Sequence, residues 1–147
     1  NGKLTYTTSN KAVATVDAAG KVTVKGPGVA KITVKAAATT DYKAASKTVT
    51  VTVVPKKQSI SLINKIKKQL TIKWKKNTKA SGYQVVYSTN KKFTGKKTVR
   101  KAKTTTSYKI KGLKKGKKYY VKVRSYKTVN GKRIYGAYST VKKATIK

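Results

Sequence analysis

The chain has 147 residues, with 38 Lys and Arg against two carboxylates, and it contains no His, Cys or Met. A formal charge of +36 with this inventory excludes a thiolate or imidazole nucleophile, a His general base and a Cys/His zinc site. Any acid–base pair or hard-cation site would have to be built from Asp17 and Asp41 alone, so a noncatalytic protein without a cofactor is expected.

The apolar fraction of 37% is low, but its residues alternate with polar ones, which is the pattern of half-buried strands and not of a disordered chain. No apolar run approaches the ~18 residues of a membrane span. The chain starts at Asn1, and we read it as a piece of something longer, with neighbouring modules as its partners.

Taken in order, residues 12–16 alternate into the turn Asp17-Ala18-Ala19-Gly20. Asp17 suits the opening of that turn because its carboxylate bonds its own backbone two residues on. Residues 21–25 follow, with Val22 and Val24 on one face and Lys or Thr on the other. Gly26-Pro27-Gly28 punctuates the chain, and then Ala30, Ile32 and Val34 alternate with Lys31, Thr33 and Lys35. After a loop holding Asp41 and Tyr42, Val49, Val51 and Val53 alternate with threonines.

Pro55-Lys56-Lys57-Gln58 breaks the valine run, because Pro removes a ladder donor, and it reads as a solvated linker. Beyond it valines thin out and tyrosines increase. Strands are predicted near 58–63, 69–75, 82–88, 97–101, 105–110, 118–127 and 134–146. Asn130-Gly131 marks a hairpin, since its turn type needs positive φ at both central residues. The fold class is therefore all-β, with two antiparallel β-sandwich modules in tandem: residues 1–54, a linker at 55–58, and residues 59–147.

Leu70-Thr71-Ile72-Lys73-Trp74, Gly82-Tyr83-Gln84-Val85-Val86-Tyr87 and the run 113–123 together resemble a fibronectin type III domain. Trp74 stands where that family carries a core Trp, and Leu113, Gly116, Tyr119, Val121 and Val123 match its Leu-x-x-Gly-x-x-Tyr-x-Val-x-Val pattern. The resemblance implies a tyrosine corner at Tyr119, and a core of Leu70, Ile72, Trp74, Tyr83, Val85, Leu113, Tyr119, Val121 and Val123. Gly136-Ala137-Tyr138-Ser139 lies where the family has its small-residue entry to the last strand. Lys115 is a departure, since many members carry Pro there.

Residues 7–22, with 26–34 after them, resemble a bacterial immunoglobulin-like domain of the group 2 kind, Tyr6 standing in for the family's Trp. Members have about two further strands in front, so this module is expected to lack part of one sheet. Val22, Val24, Ile32 and Val34 should then be uncovered, or covered by a strand from upstream or from another chain. Such modules imply a stalk, spacer or adhesive unit of a bacterial protein that is extracellular or associated with the cell wall. The resemblance fixes no ligand.

Charge is what exceeds scaffolding. All cations but Arg100, Arg124 and Arg133 are Lys. The candidate polyanion contacts are Lys96 and Lys97, the run Lys114, Lys115, Lys117 and Lys118, and Arg124 and Arg133. Their partners would be anionic polymers: teichoic acid, sulfated or sialylated glycans, or nucleic acid bound nonspecifically. Sequence-specific reading of nucleic acid is disfavoured, because Lys is a point charge and no helix is predicted to enter a groove. Tyr126, Tyr135 and Tyr138 are either a stacking ledge or cross-strand pairs on a sheet face. A competing reading of the lysines is a solvated surface that protects sheet edges from aggregation.

Uncompensated charge of this size repels itself in a compact body and is relieved in an expanded chain. The melting temperature is therefore expected to rise between low and physiological ionic strength, where the screening length falls to about 8 Å. A flat or falling profile in a thermal-melt series would contradict this.

Overall fold

The computed structural model describes residues 2–147, and among them every regular element is a strand. The chain divides into two compact units, 1–53 and 54–147.

In the first unit, β1 (Leu4–Thr8), β4 (Gly28–Ala36) and β5 (Ala45–Val53) form an antiparallel sheet in the order β1-β4-β5. A separate hairpin joins β2 (Ala14–Val16) to β3 (Val22–Val24). Its turn is the one expected: Asp17 Oδ1 accepts from the Ala19 and Lys21 amides at 3.0 and 2.9 Å, and Gly20 takes φ +82°. β1 was not foreseen. Its polar composition hides a strand that puts Tyr6 opposite Val34 and Thr8 opposite Ile32.

That strand changes which valines are bare. Val22 and Val24 are exposed as expected, but Ile32 is buried and Val34 is half-buried. The ring of Tyr6 shares their face and reaches Gly20 in the hairpin turn, where any Cβ would strike it. Tyr6 thus bridges the two sheets, although the buried core is small: the cluster Val13, Ala14 and Ala30, with Val53 packed against it, and Ile32.

The second unit is a sandwich. One sheet has β6 (Ile60–Ile63), β7 (Leu70–Trp74) and β10 (Ser107–Ile110) in the order β10-β7-β6. The other has β8 (Gly82–Ser88), β9 (Lys97–Ala102), β11 (Lys118–Val129) and β12 (Lys132–Tyr135) in the order β12-β11-β8-β9. β13 (Lys142–Thr145) also pairs with β11. Alternation along these strands sends Leu70, Ile72, Trp74, Tyr83, Val85, Val121 and Val123 into one buried cluster with Leu113. Tyr119 packs against that cluster while remaining partly exposed, and its hydroxyl accepts the Lys114 amide at 3.4 Å, as a tyrosine corner does.

The strand foreseen at 134–146 is two strands, because residues 136–141 leave the regular ladder between them. Gly136 and Ser139 still donate to the Ser125 and Val123 carbonyls, at 3.0 and 2.7 Å. The Ser139 hydroxyl accepts the Val123 amide at 3.0 Å, taking the place of a backbone carbonyl in the ladder. Residues 55–58 are likewise not the solvated linker expected of them. Pro55 and Gln58 are buried, and the Ser125 hydroxyl donates to the Lys56 carbonyl at 3.1 Å, so only Lys56 and Lys57 keep the exposure expected of the segment.

Trp74 is 5% exposed and packs on Tyr83 with ring centroids 5.3 Å apart. Its indole N–H meets no acceptor among the described residues, so its contribution is packing alone. Trp74→Ala should cost about 3–5 kcal/mol in denaturant unfolding, enough to unfold a marginal domain. A cost below about 1 kcal/mol would mean that the cavity collapses around the missing ring.

Candidate polyanion-binding surfaces

The expected contacts fall into two groups. The expected lysines lie at or beside the β8–β9 and β10–β11 turns of the second unit. The second turn holds Lys114, Lys115, Lys117 and Lys118 around Gly116, whose φ of +74° suits glycine. The Gly116 amide donates to the Ile146 carbonyl at 2.9 Å and the Leu113 amide to the Lys68 carbonyl at 3.0 Å, so the turn is fastened at two points. Lys114, Lys117 and Lys118 line a concavity of about 620 Å³ together with Tyr119 and Tyr120. An adjoining one of about 250 Å³ shares Thr89, Lys114 and Tyr119 with it and adds Lys97 and Lys111. Lys96 and Lys115 are exposed nearby in sequence but line neither. No carboxylate lines either hollow, so an anion entering would meet ammonium groups without a competing acid.

Arg124 and Arg133 are elsewhere, on the outward face of the sheet β12-β11-β8-β9. The register places Arg124 beside Gln84 and Arg133 beside Thr128. Arg124 lies over two rings, 3.9 Å from the centroid of Tyr135 and 4.3 Å from that of Tyr138. Its Nε donates to Gln84 Oε1 at 2.6 Å, and the Tyr138 hydroxyl donates to the same oxygen at 3.1 Å. Lys122, one step along the face, lies 4.0 Å from the Phe93 centroid and 4.4 Å from that of Tyr138. Tyr126 and Tyr135 are a directly opposed cross-strand pair with centroids 5.7 Å apart, so the tyrosines are a row on the sheet face and not a free ledge.

Two features escaped the sequence reading. Lys56, Lys57, Lys75, Lys76 and Lys79 line a cleft of about 390 Å³, because the Ile60–Trp74 pairing brings the two segments alongside. The lysine doublets were legible, but their proximity was not. Arg100 stands across from Gln84 on the face that also carries Arg124. Its parity along β9 was the available signal. Asp17 is used by its turn, and no cluster of three or more metal-ligating side chains exists among the described residues.

The family model for the fibronectin type III domain matches residues 54–141. The chain belongs to the fibronectin type III family. Ahead of that module, residues 1–39 match the family described as "Intimin, immunoglobulin-like domain", which gives the expected order of an immunoglobulin-like module and then a fibronectin type III module. Among solved structures, the sixth fibronectin type III domain of human fibronectin type III domain containing protein 3 matches with a TM-score of 0.53 and 17% identity. That match covers 65% of this chain and 89% of the other. A structure titled "Myokine structure" matches at 0.50 and 14%, covering 63% of this chain and 97% of the other. A redesigned β-sandwich protein matches at 0.50 and 14%, covering 62% and 94%. These likenesses concern the fold. No curated protein matches the chain.

Within the fibronectin type III module, Tyr87 lines the smaller hollow and is 8% exposed. Burial pushes its hydroxyl above the ordinary value of 10.0, with the neighbouring phenols of Tyr108 and Tyr119 adding to the effect. The folded state therefore holds the neutral phenol more firmly than the unfolded chain does. This contribution to stability is full below about pH 10 and is lost as pH rises through the folded value. Alkaline absorbance titration should show a late-ionising tyrosine that disappears in Tyr87→Phe. An unchanged titration curve in that variant would refute the assignment.

Proposed function

We propose that this module pair is a noncatalytic structural and adhesive part of a bacterial surface or secreted protein, extracellular or held at the cell wall. It would act as a stalk or spacer that grips anionic polymers by charge. The family matches support the coarser statement, since immunoglobulin-like and fibronectin type III modules are noncatalytic scaffold units of surface proteins. Among the described residues no helix is long and apolar enough to cross a membrane.

One observation carries the finer reading: Lys97, Lys111, Lys114, Lys117 and Lys118 converge on two adjoining hollows without a lining acid. A solvated, edge-protecting lysine coat has no need of such convergence, because isolated charges do that work wherever they stand. Teichoic acid, mucin or glycosaminoglycan and duplex DNA are the polymers to compare. Binding to each should weaken steeply with salt, and Lys114→Gln/Lys117→Gln/Lys118→Gln should flatten the plot of log K against log salt by ~0.9 for each phosphate that is no longer neutralised. An unchanged slope in that variant would place the binding surface elsewhere. One polymer departing from the others in affinity would identify the ligand class.

A further inference from the structure

All three arginines of a chain that otherwise uses lysine lie on one surface. Arg100 and Arg124 flank Gln84 from the strands on either side, which sets their Cα atoms ~10 Å apart. Arg133 stands one strand further over, opposite Thr128. Lysine would serve equally for solubility, so the placement calls for what guanidinium alone supplies: a planar fork of donors.

Arg124 is held as such a fork. Its Cζ lies 3.9 Å from the Tyr135 centroid and 4.3 Å from that of Tyr138, and Gln84 accepts its Nε–H, so the side chain is held by three neighbours. The bond to Gln84 engages Nε–H, one of the five guanidinium donors. Its terminal nitrogens meet no acceptor among the described residues. A receptor group already immobilised loses little freedom when a ligand arrives.

We propose that this face binds an acidic polysaccharide, with a carboxylate or sulfate accepting both parallel N–H groups of Arg124 and with Arg100 and Arg133 taking further anionic groups along the polymer. The inference rests on the polyanion-binding reading and narrows its ligand. Thr98 and Thr128, both exposed on the same face, supply hydroxyls for sugar oxygens. Single-stranded nucleic acid fits less well. Bases need open aromatic faces, whereas Phe93, Tyr135 and Tyr138 each already carry a cation, and Tyr138 carries two.

The test is charge-neutral. R100K/R124K/R133K keeps the net charge while removing every fork, and R100K/R133K spares the stacked Arg124 in case its loss disturbs the fold. Calorimetry at physiological salt would use heparin for sulfate, polygalacturonate for carboxylate and an oligothymidylate strand. The triple variant is expected to lose about 10-fold in affinity for one or both polysaccharides as bidentate pairs become point contacts, and the double variant about 3-fold. Oligothymidylate binding and all salt slopes should hold within about twofold. Loss with heparin alone would assign sulfate, and loss with polygalacturonate alone carboxylate. Unchanged polysaccharide affinity, or an equal loss for oligothymidylate, would overturn the inference and leave charge-driven binding standing. Wild-type protein that binds none of the three probes would refute the polyanion reading itself.

Discussion

With two carboxylates available to 38 cations, ion pairing cannot solvate the charge of this chain, and every ammonium must find water or some other partner. Period-two alternation meets that demand on most strands. In β7 the sequence Leu70-Thr71-Ile72-Lys73-Trp74 sends three side chains into the core while Lys73 stays exposed. Much the same holds on β11, where Val121 and Val123 are buried and Lys122 and Arg124 are turned the other way. The outward cations and the buried apolar residues of these strands are therefore one pattern seen from two sides.

Where cations crowd on the outward face of β12-β11-β8-β9, aromatic rings do the work that carboxylates do in ordinary proteins. Phe93, Tyr126, Tyr135 and Tyr138 each have a Lys or Arg over the ring, at centroid distances from 3.9 to 5.6 Å. Each such contact contributes about 0.5–1 kcal/mol when exposed and more when water is excluded. Gln84, buried at the centre of this face, supplies the one neutral oxygen that orients both Arg124 and Tyr138. Phe93 reaches its place only because the β8–β9 turn takes φ +61° there, an unusual conformation for a residue with a Cβ. The Ser88 hydroxyl steadies that turn by donating to the Thr94 carbonyl at 2.8 Å.

The two modules stand at different points on the scale of core size. The fibronectin type III sandwich closes over a dozen buried residues, among them Trp74 and Tyr83. The immunoglobulin-like module relies on far fewer, Val13, Ala14, Ala30 and Ile32, and leaves Leu4, Val22, Val24 and Val49 exposed. Small domains bury a smaller share of their surface, and apolar residues left on a sheet face weaken the drive to fold. Tyr6 offsets part of this by spanning from β1 to the hairpin turn at Gly20.

The all-β class, the order of the two modules, the inward set around Trp74 and the Asp17 turn are all legible in the residues alone. Each of these follows from local periodicity, turn chemistry or a motif contained in a short run of residues. The strand β1 was legible only faintly, because Thr and Tyr favour strands without announcing a buried face. Tertiary structure alone decided what lies beside what. The buried position of Pro55 depends on β11, some seventy residues on, whose Ser125 hydroxyl holds the Lys56 carbonyl. The division of the last strand depends on Ser139 meeting Val123. The convergence of Lys97 with Lys114, and the arrival of Arg100, Arg124 and Arg133 on one face, follow from strand register. Register is set by the packing of the buried faces, and the outward cations have no voice in it. A candidate site built from outward-facing charge is thus placed by residues that never touch its ligand, which is why lysine runs could be counted in the sequence but not assembled into surfaces.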